Sequence, residues 1–161
     1  MQTGPCLAGQ SPAVPVGIAN RCKNTMHGDL GAPRAVVTNR VAGLQAGGVA
    51  ATAKHFVGND SEAQRYSVSS ELSERALREV YLLPFEAAVR EAGVWAVMTA
   101  YNRLNGEHCS DSSWLLGEVL RGEWGFEGLV VSDWFALADT AASIRAGLDL
   151  EMPGPGRAYG P

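Results

Sequence analysis

Short apolar runs alternating with amphipathic stretches constrain this chain most. Val94-Trp95-Ala96-Val97-Met98-Thr99 and Leu129-Val130-Val131 are almost continuously apolar, the pattern of strands buried on both faces of a sheet. Val49 to Phe56 reads as another such strand, and Leu148 to Met152 as a fourth, short one. Helical spacing fills the intervals. From Pro33 onward Val36, Val37, Val41 and Leu44 recur on one side, and Gly47-Gly48 supplies the stop. Ser73-Glu74-Arg75 opens a second helix lined by Leu77, Val80, Tyr81, Phe85, Ala88 and Val89, which Pro84 is expected to kink or interrupt because its ring removes a backbone donor. Ser112 or Ser113 can cap a third, with Trp114, Leu115, Val119 and Leu120 inward and Gly125 beyond its end. A fourth is expected over about Ala136 to Ala146, stopped by Gly147.

Helix and strand in strict alternation predict parallel β/α units. Two architectures share that pattern, the doubly wound sheet and the (β/α)8 barrel. No G-x-G-x-x-G follows a strand, which counts against a dinucleotide-binding sheet. The expected fold is therefore α/β, a partial (β/α)8 TIM-type barrel of about four parallel β/α units, where a whole barrel needs eight. Four strands leave two open edges, so the isolated polypeptide is expected to fold poorly or to pair with a partner.

Charge and composition narrow the ligand. A formal net charge of -4 argues against nucleic acid, whose binders display basic stripes. No run approaches the ~20 apolar residues of a membrane span. Cys6, Cys22 and Cys109 are three cysteines without C-x-x-C spacing, which suggests neither a disulfide framework nor a zinc site. No metal or cofactor is expected. The opening Met1-Gln2-Thr3-Gly4-Pro5 lacks the charged and apolar regions of a secretory signal, and the sequence leaves the compartment open.

Reactive residues gather at the C-terminal ends of the strands: Lys54-His55, Tyr101-Asn102, Asp133 and Glu151-Met152. In β/α barrels that edge carries the chemistry.

Several motifs in fixed order then carry a family resemblance. Lys54-His55-Phe56, Gly58-Asn59-Asp60, Glu62 and Gln64-Arg65 resemble the Lys-His loop of glycoside hydrolase family 3. Ser73 through Phe85 is similar to its next helix, Met98-Thr99-Ala100-Tyr101-Asn102 with Asn105-Gly106 to its following strand and loop, and Gly128 through Ser132-Asp133-Trp134 to its nucleophile strand. The resemblance divides the chain into residues 1–33, irregular and without it, residues 34–155, the C-terminal half of a family 3 barrel, and a tail at 156–161.

The resemblance implies retaining hydrolysis of β-glycosides, with Asp133 as catalytic nucleophile and Lys54, His55, Arg65, Met98, Tyr101 and Trp134 around the sugar. It also implies an acid/base glutamate from a domain C-terminal to the barrel. The branch that cleaves N-acetylglucosaminides carries an Asp-His dyad after Lys-His-Phe, whereas Gly58 to Ser70 holds no histidine. That points to the β-glucosidase and β-xylosidase branch. Glu62, Glu107 and Asp111 are poor substitutes for the acid/base.

Plainer roles exist for every one of these residues. Asp133 could cap the following helix, Lys54 could be solvated, His55 satisfied by backbone and Arg65 part of a surface ion pair. Met98 and Tyr101 suit core packing, and Trp95, Trp114 and Trp124 read as packing. At the level of function, an inactive remnant serving as a sugar-binding or interaction module is the alternative to a hydrolase. A Schiff-base role for Lys54 fits the adjoining motifs less well.

Overall fold

The computed structural model describes residues 31–153. Residues 1–30 of the segment 1–33 read as irregular, with Cys6 and Cys22, and the tail lie outside the described residues. Within them the chain runs as helix α1 (Gly31–Ala46), strand β1 (Thr52–Phe56), β2 (Ser69–Ser70), α2 (Glu74–Ala76, continued by a wide π-helical stretch Leu77–Tyr81), α3 (Leu83–Arg90), β3 (Ala96–Thr99), β4 (Arg103–Leu104), β5 (Glu107–His108), α4 (Ser113–Glu123, π-helical), β6 (Leu129–Val131) and α5 (Thr140–Ala146).

The main sheet has the order β1-β3-β6 and is parallel throughout. Val97 of the central strand pairs with Ala53 on one side and Val130 on the other, and Val97 and Val130 are fully buried. Helices cover this sheet with most of the side chains that the spacing pointed inward: Val37 and Val41, Leu77 and Phe85, and Leu115, Val119 and Leu120 join one core together with Leu116, whereas Val80, expected on the inner side, is exposed in the π-helical stretch, whose wider turn shifts the helical phase. Phe56, at the end of β1, packs edge-on against Phe85 with ring centroids 5.0 Å apart and against Trp124 at 5.9 Å. The first helix is tied to the central strand by one side-chain amide. Gln45 donates to Gly93 O and accepts from Trp95 N, both at 2.9 Å.

Several expectations are corrected. The fourth strand, Leu148 to Met152, reduces to a single parallel bridge between Val131 and Leu150, so the main sheet has three parallel strands among the described residues. One reason is polar competition: Asp149 turns its carboxylate back onto Val130 N at 2.7 Å, where it also meets Arg121 at 2.8 Å. The last helix begins at Thr140 instead of Ala136, capped by Asp139, whose Oδ1 accepts from Ala142 N at 2.7 Å. The first helix begins at Gly31, ahead of Pro33, and β1 at Thr52 instead of Val49. Trp95 stays outside β3 and is half exposed. Pro84 interrupts its helix as anticipated, standing in the first turn of α3, where a missing N–H costs nothing.

A second, small sheet has the order β2-β4-β5. The Asn105-Gly106 turn joins β4 to β5 with positive φ at both residues, 49° and 90°, the conformation that tight hairpins favour. Asn105 also bridges to Leu72 through both ends of its side-chain amide. Through this sheet the loop after β1 is pinned to the loop after β3.

Two glycines give a test of the packing with opposite signs. A Cβ on Gly128, just before β6, would lie 2.4 Å from Trp95 O and 2.7 Å from the Phe126 ring, whereas a Cβ on Gly43 would meet nothing within 4 Å. Gly128→Ala is expected to destabilise the chain by ~1–3 kcal/mol, and Gly43→Ala in the exposed middle of α1 to stabilise it by ~0.5–1 kcal/mol, both read from urea unfolding. Equal effects in the two variants would contradict this packing.

Candidate active site

Parallel pairing places the C-terminal ends of β1, β3 and β6 on one edge, and the polar residues that follow them meet there. β1 carries an irregularity between Ala53 and Phe56, where three steps along β1 face two along β3. The extra residue falls at Lys54-His55. A bulge of this kind re-aims side chains, and it turns His55 across the central strand toward the end of β6. His55 Nε2 lies 2.9 Å from Asp133 Oδ2.

Asp133 is 6% exposed. Its other oxygen, Oδ1, accepts from Trp134 N at 2.7 Å, and the Tyr101 hydroxyl is close enough to favour the ionised carboxylate. Burial alone would raise its pKa. The His55 contact, the Trp134 N–H and the Tyr101 hydroxyl outweigh burial and hold Asp133 below the usual carboxylate value. The reciprocal effect is seen on Tyr101, whose hydroxyl is pushed up, first by burial and then by the Asp133 charge. Helix capping does not account for Asp133, because that role at α5 belongs to Asp139.

Arg65 reaches the same cluster from the loop after β1. Its guanidinium carbon stands 4.5 Å from the Tyr101 ring centre and 5.3 Å from that of Tyr66, while Nη1 pairs with Glu62 at 2.8 Å. This loop is fastened at several points. Tyr81 donates to Asp60 Oδ2 at 2.7 Å, and burial followed by that hydrogen bond pushes the Tyr81 hydroxyl up to about 12. Ser70 Oγ donates to Gly58 O at 2.8 Å, and the buried Asn102 amide donates to Val57 O at 3.2 Å and Arg103 O at 2.9 Å.

Of the residues singled out from sequence, His55, Tyr101, Asp133 and Arg65 thus form one contiguous cluster. Trp134 is joined to it through its backbone and exposes about half its surface, as does Phe135 beside it. Lys54 is half-buried in the bulge and takes part in no ion pair among the described residues. Met98 is half-buried within β3, where it pairs in register with Val131. Glu62 is held by Arg65, Glu107 is exposed on β5, and Asp111 is half-buried, its pKa raised chiefly by that burial. Asn102, named at the end of the second strand, supports the site from its buried position, whereas Tyr66, whose ring packs against Tyr101, was missed. Tyr66 directly follows Arg65, and no periodicity marks it.

Among the described residues, no three or more His, Cys, Asp or Glu side chains converge to hold a metal ion. No described helix is long and apolar enough to cross a membrane. An open groove of about 560 Å³ lies at the opposite edge, lined by Arg121, Glu127, Gly128, Leu129, Gly147 and Asp149. Its Arg121 is already bonded to Phe126 O, Gly147 O and Asp149, so the groove has little left to offer a ligand.

Known proteins place this geometry in context. The family model for the glycosyl hydrolase family 3 N-terminal domain matches residues 10–156, a span that takes in the motif-bearing stretch and part of the segment before it. A β-glucosidase of Rhizobium radiobacter is 60% identical over 120 residues, which are 74% of this chain and 15% of that protein. β-Glucosidase B of Emericella nidulans is 56% identical over 117 residues, 73% of this chain and 14% of that protein. Among solved structures, the Kluyveromyces marxianus β-glucosidase in complex with glucose superposes with a TM-score of 0.73 at 56% identity, covering 74% of this chain and 14% of that one. β-Glucosidase 3B of Thermotoga neapolitana in complex with glycerol gives 0.78 at 46% identity over 88% of this chain and 20% of that one. The chain therefore spans a small part of the length of its relatives, and by family match and identity alike it belongs to glycosyl hydrolase family 3.

Proposed function

We propose that this chain carries the nucleophile-bearing part of a retaining β-glucosidase barrel, with Asp133 as the residue that attacks the sugar. One observation carries the reading: a buried carboxylate with depressed pKa, 2.9 Å from His55, at the C-terminal edge of a parallel sheet. A retaining glycosidase needs a carboxylate that is ionised when the substrate arrives. One oxygen of Asp133 bonds to the anomeric carbon as the bond to the leaving oxygen breaks, and the leaving oxygen takes its proton from an acid. Water then attacks the same carbon and releases Asp133, with its proton passing to the conjugate base of that acid.

His55, Lys54 and Arg65 donate to sugar hydroxyls in this reading. Donors of this kind form stronger bonds when charged. Tyr101 holds the carboxylate, Met98 supplies an apolar wall and Trp134 presents its ring to the sugar's C–H face. The parallel β/α units of this chain are completed to a (β/α)8 barrel by further segments of the same fold. The acid/base is likewise supplied from a domain C-terminal to the barrel. The relatives are named β-glucosidases, and glucose is the sugar bound in the Kluyveromyces structure, which favours a glucoside as substrate.

A substrate whose leaving group needs no proton isolates the step assigned to Asp133. With 2,4-dinitrophenyl β-glucoside the chain is expected to release dinitrophenolate, and Asp133→Asn to lower that rate by roughly 10⁴-fold or more. Sugar binding without release in the unsubstituted chain would instead support the binding-module reading. Equal release from both forms would overturn the assignment.

The pH dependence follows from the depressed carboxylate. Asp133 stays ionised as pH falls through the ordinary aspartate value of about 3.9 and protonates only lower, so the acid limb of dinitrophenolate release is expected below that value. In His55→Ala the main stabiliser of the ionised form is gone, and the limb is expected to move to higher pH. The same sign governs stability: the contribution of the ionised Asp133 is complete above the unfolded value and fades as pH falls through the native one. An acid limb that does not move in His55→Ala would contradict the contact's role.

A further inference from the structure

We propose that Tyr66 is a positioning residue for Arg65: its ring and that of Tyr101 hold the guanidinium against two aromatic faces, so that Arg65 meets a sugar hydroxyl already oriented. The inference rests on the reading of Arg65 as a sugar donor and extends it to a residue that no motif marks.

The small second sheet brings the two rings together. β2 pairs in parallel with β4, Ser69 beside Arg103, and Arg103 N donates to Val68 O at 2.9 Å. Tyr66 stands three residues before Ser69 and Tyr101 two before Arg103, so the pairing draws both tyrosines to one end of the sheet. Their ring centroids lie 4.6 Å apart with planes inclined by 60°. A tight turn then sets the direction of Arg65. Gln64 has a φ of 53°, in the left-handed region that few side-chain-bearing residues adopt, and its carbonyl accepts from Ser67 N at 2.8 Å and Val68 N at 2.9 Å. Arg65 and Tyr66 form the corner of that turn. The Arg65 guanidinium carbon lies 5.3 Å from the Tyr66 ring centre and 4.5 Å from that of Tyr101.

Tyr66 is 51% exposed, so burial of its own ring is a weak reason for its place. The ion pair of Arg65 with Glu62 is also a weak anchor, because the Glu62 side chain is 72% exposed and a pair that open to water contributes little. A long, rotamer-rich side chain loses freedom when it grips a ligand. One already held against two rings loses less. Cation–π attraction supplies that hold. A guanidinium carries five N–H donors in a rigid fork, and the Glu62 bond at 2.8 Å uses one of them, which leaves further donors for a sugar.

Two readouts on the full chain test the clamp, one of them independent of any sugar. Protons above an aromatic face resonate upfield, so the Arg65 Hδ and Hε signals, assigned by their loss in Arg65→Met, are expected upfield of ordinary arginine positions. Tyr66→Phe keeps the ring and is expected to preserve the displacement; Tyr66→Leu is expected to remove the share that does not come from Tyr101. Glucose affinity by calorimetry is the second readout. Tyr66→Leu is expected to weaken binding roughly 2–5-fold, the size of one exposed cation–π contact, and Tyr66→Phe to match the parent. In the Arg65→Met background Tyr66→Leu is expected to cost nothing further. Arg65 signals at ordinary positions in the parent chain would overturn the clamp even if no Tyr66 variant folds. So would an equal loss of affinity from Tyr66→Leu with and without Arg65, the mark of a ring that only supports its loop. Absence of glucose binding in the parent chain would remove the reading of Arg65 as a sugar donor and leave the clamp to be decided by the resonances.

Discussion

The contact between His55 and Asp133 depends on two strands that do not touch. β1 and β6 flank the central β3, and only parallel pairing on both sides puts their C-terminal ends on one edge. Parallel order alone is not enough, because side chains at strand ends alternate in direction. The irregularity in β1 turns His55 toward Asp133, 2.9 Å away. Much of the surrounding structure maintains this alignment. Gln45 fixes where β3 begins, Phe56 anchors the end of β1 between Phe85 and Trp124, and the small second sheet pins the loop that carries Arg65 and Tyr66.

Electrostatics and architecture are coupled at this edge. A buried carboxylate would ordinarily resist ionisation, yet Asp133 is surrounded by groups from three separate segments that favour its charged form. His55 comes from β1, Tyr101 from the loop after β3, and the Trp134 N–H from the chain's own turn after β6. Displacing any one of those segments changes the ionisation of the carboxylate and hence its readiness as a nucleophile. A site assembled from strand ends joins fold stability to chemistry in this way.

Elements governed by local rules were legible in the sequence. Ser112 caps α4 through Leu115 N, Gly147 ends α5 with a positive φ of 103°, Asn105-Gly106 makes the hairpin turn, and Pro84 breaks its helix. Each follows from the conformational preference of one or two residues. Features set by distant partners were not legible. Leu148 to Met152 has strand-like composition, but the bond from Asp149 to Val130 N occupies a donor near that edge. The strands β2, β4 and β5 are two residues each, too short to show alternation. At the site, strand-end position and motif order pointed to His55, Tyr101 and Asp133. Tyr66 could not be found that way, since its place follows from the packing of one loop against another.

The account stands or falls on the identity of the residue that bonds to the sugar. Incubating the chain with 2,4-dinitrophenyl 2-deoxy-2-fluoro-β-glucoside, followed by peptide mass mapping, reads that identity directly. The account predicts a fluoroglucosyl group on Asp133 in the peptide containing Ser132-Asp133-Trp134; the same group on Glu62, Asp111 or any other residue, with Asp133 unmodified, would contradict it.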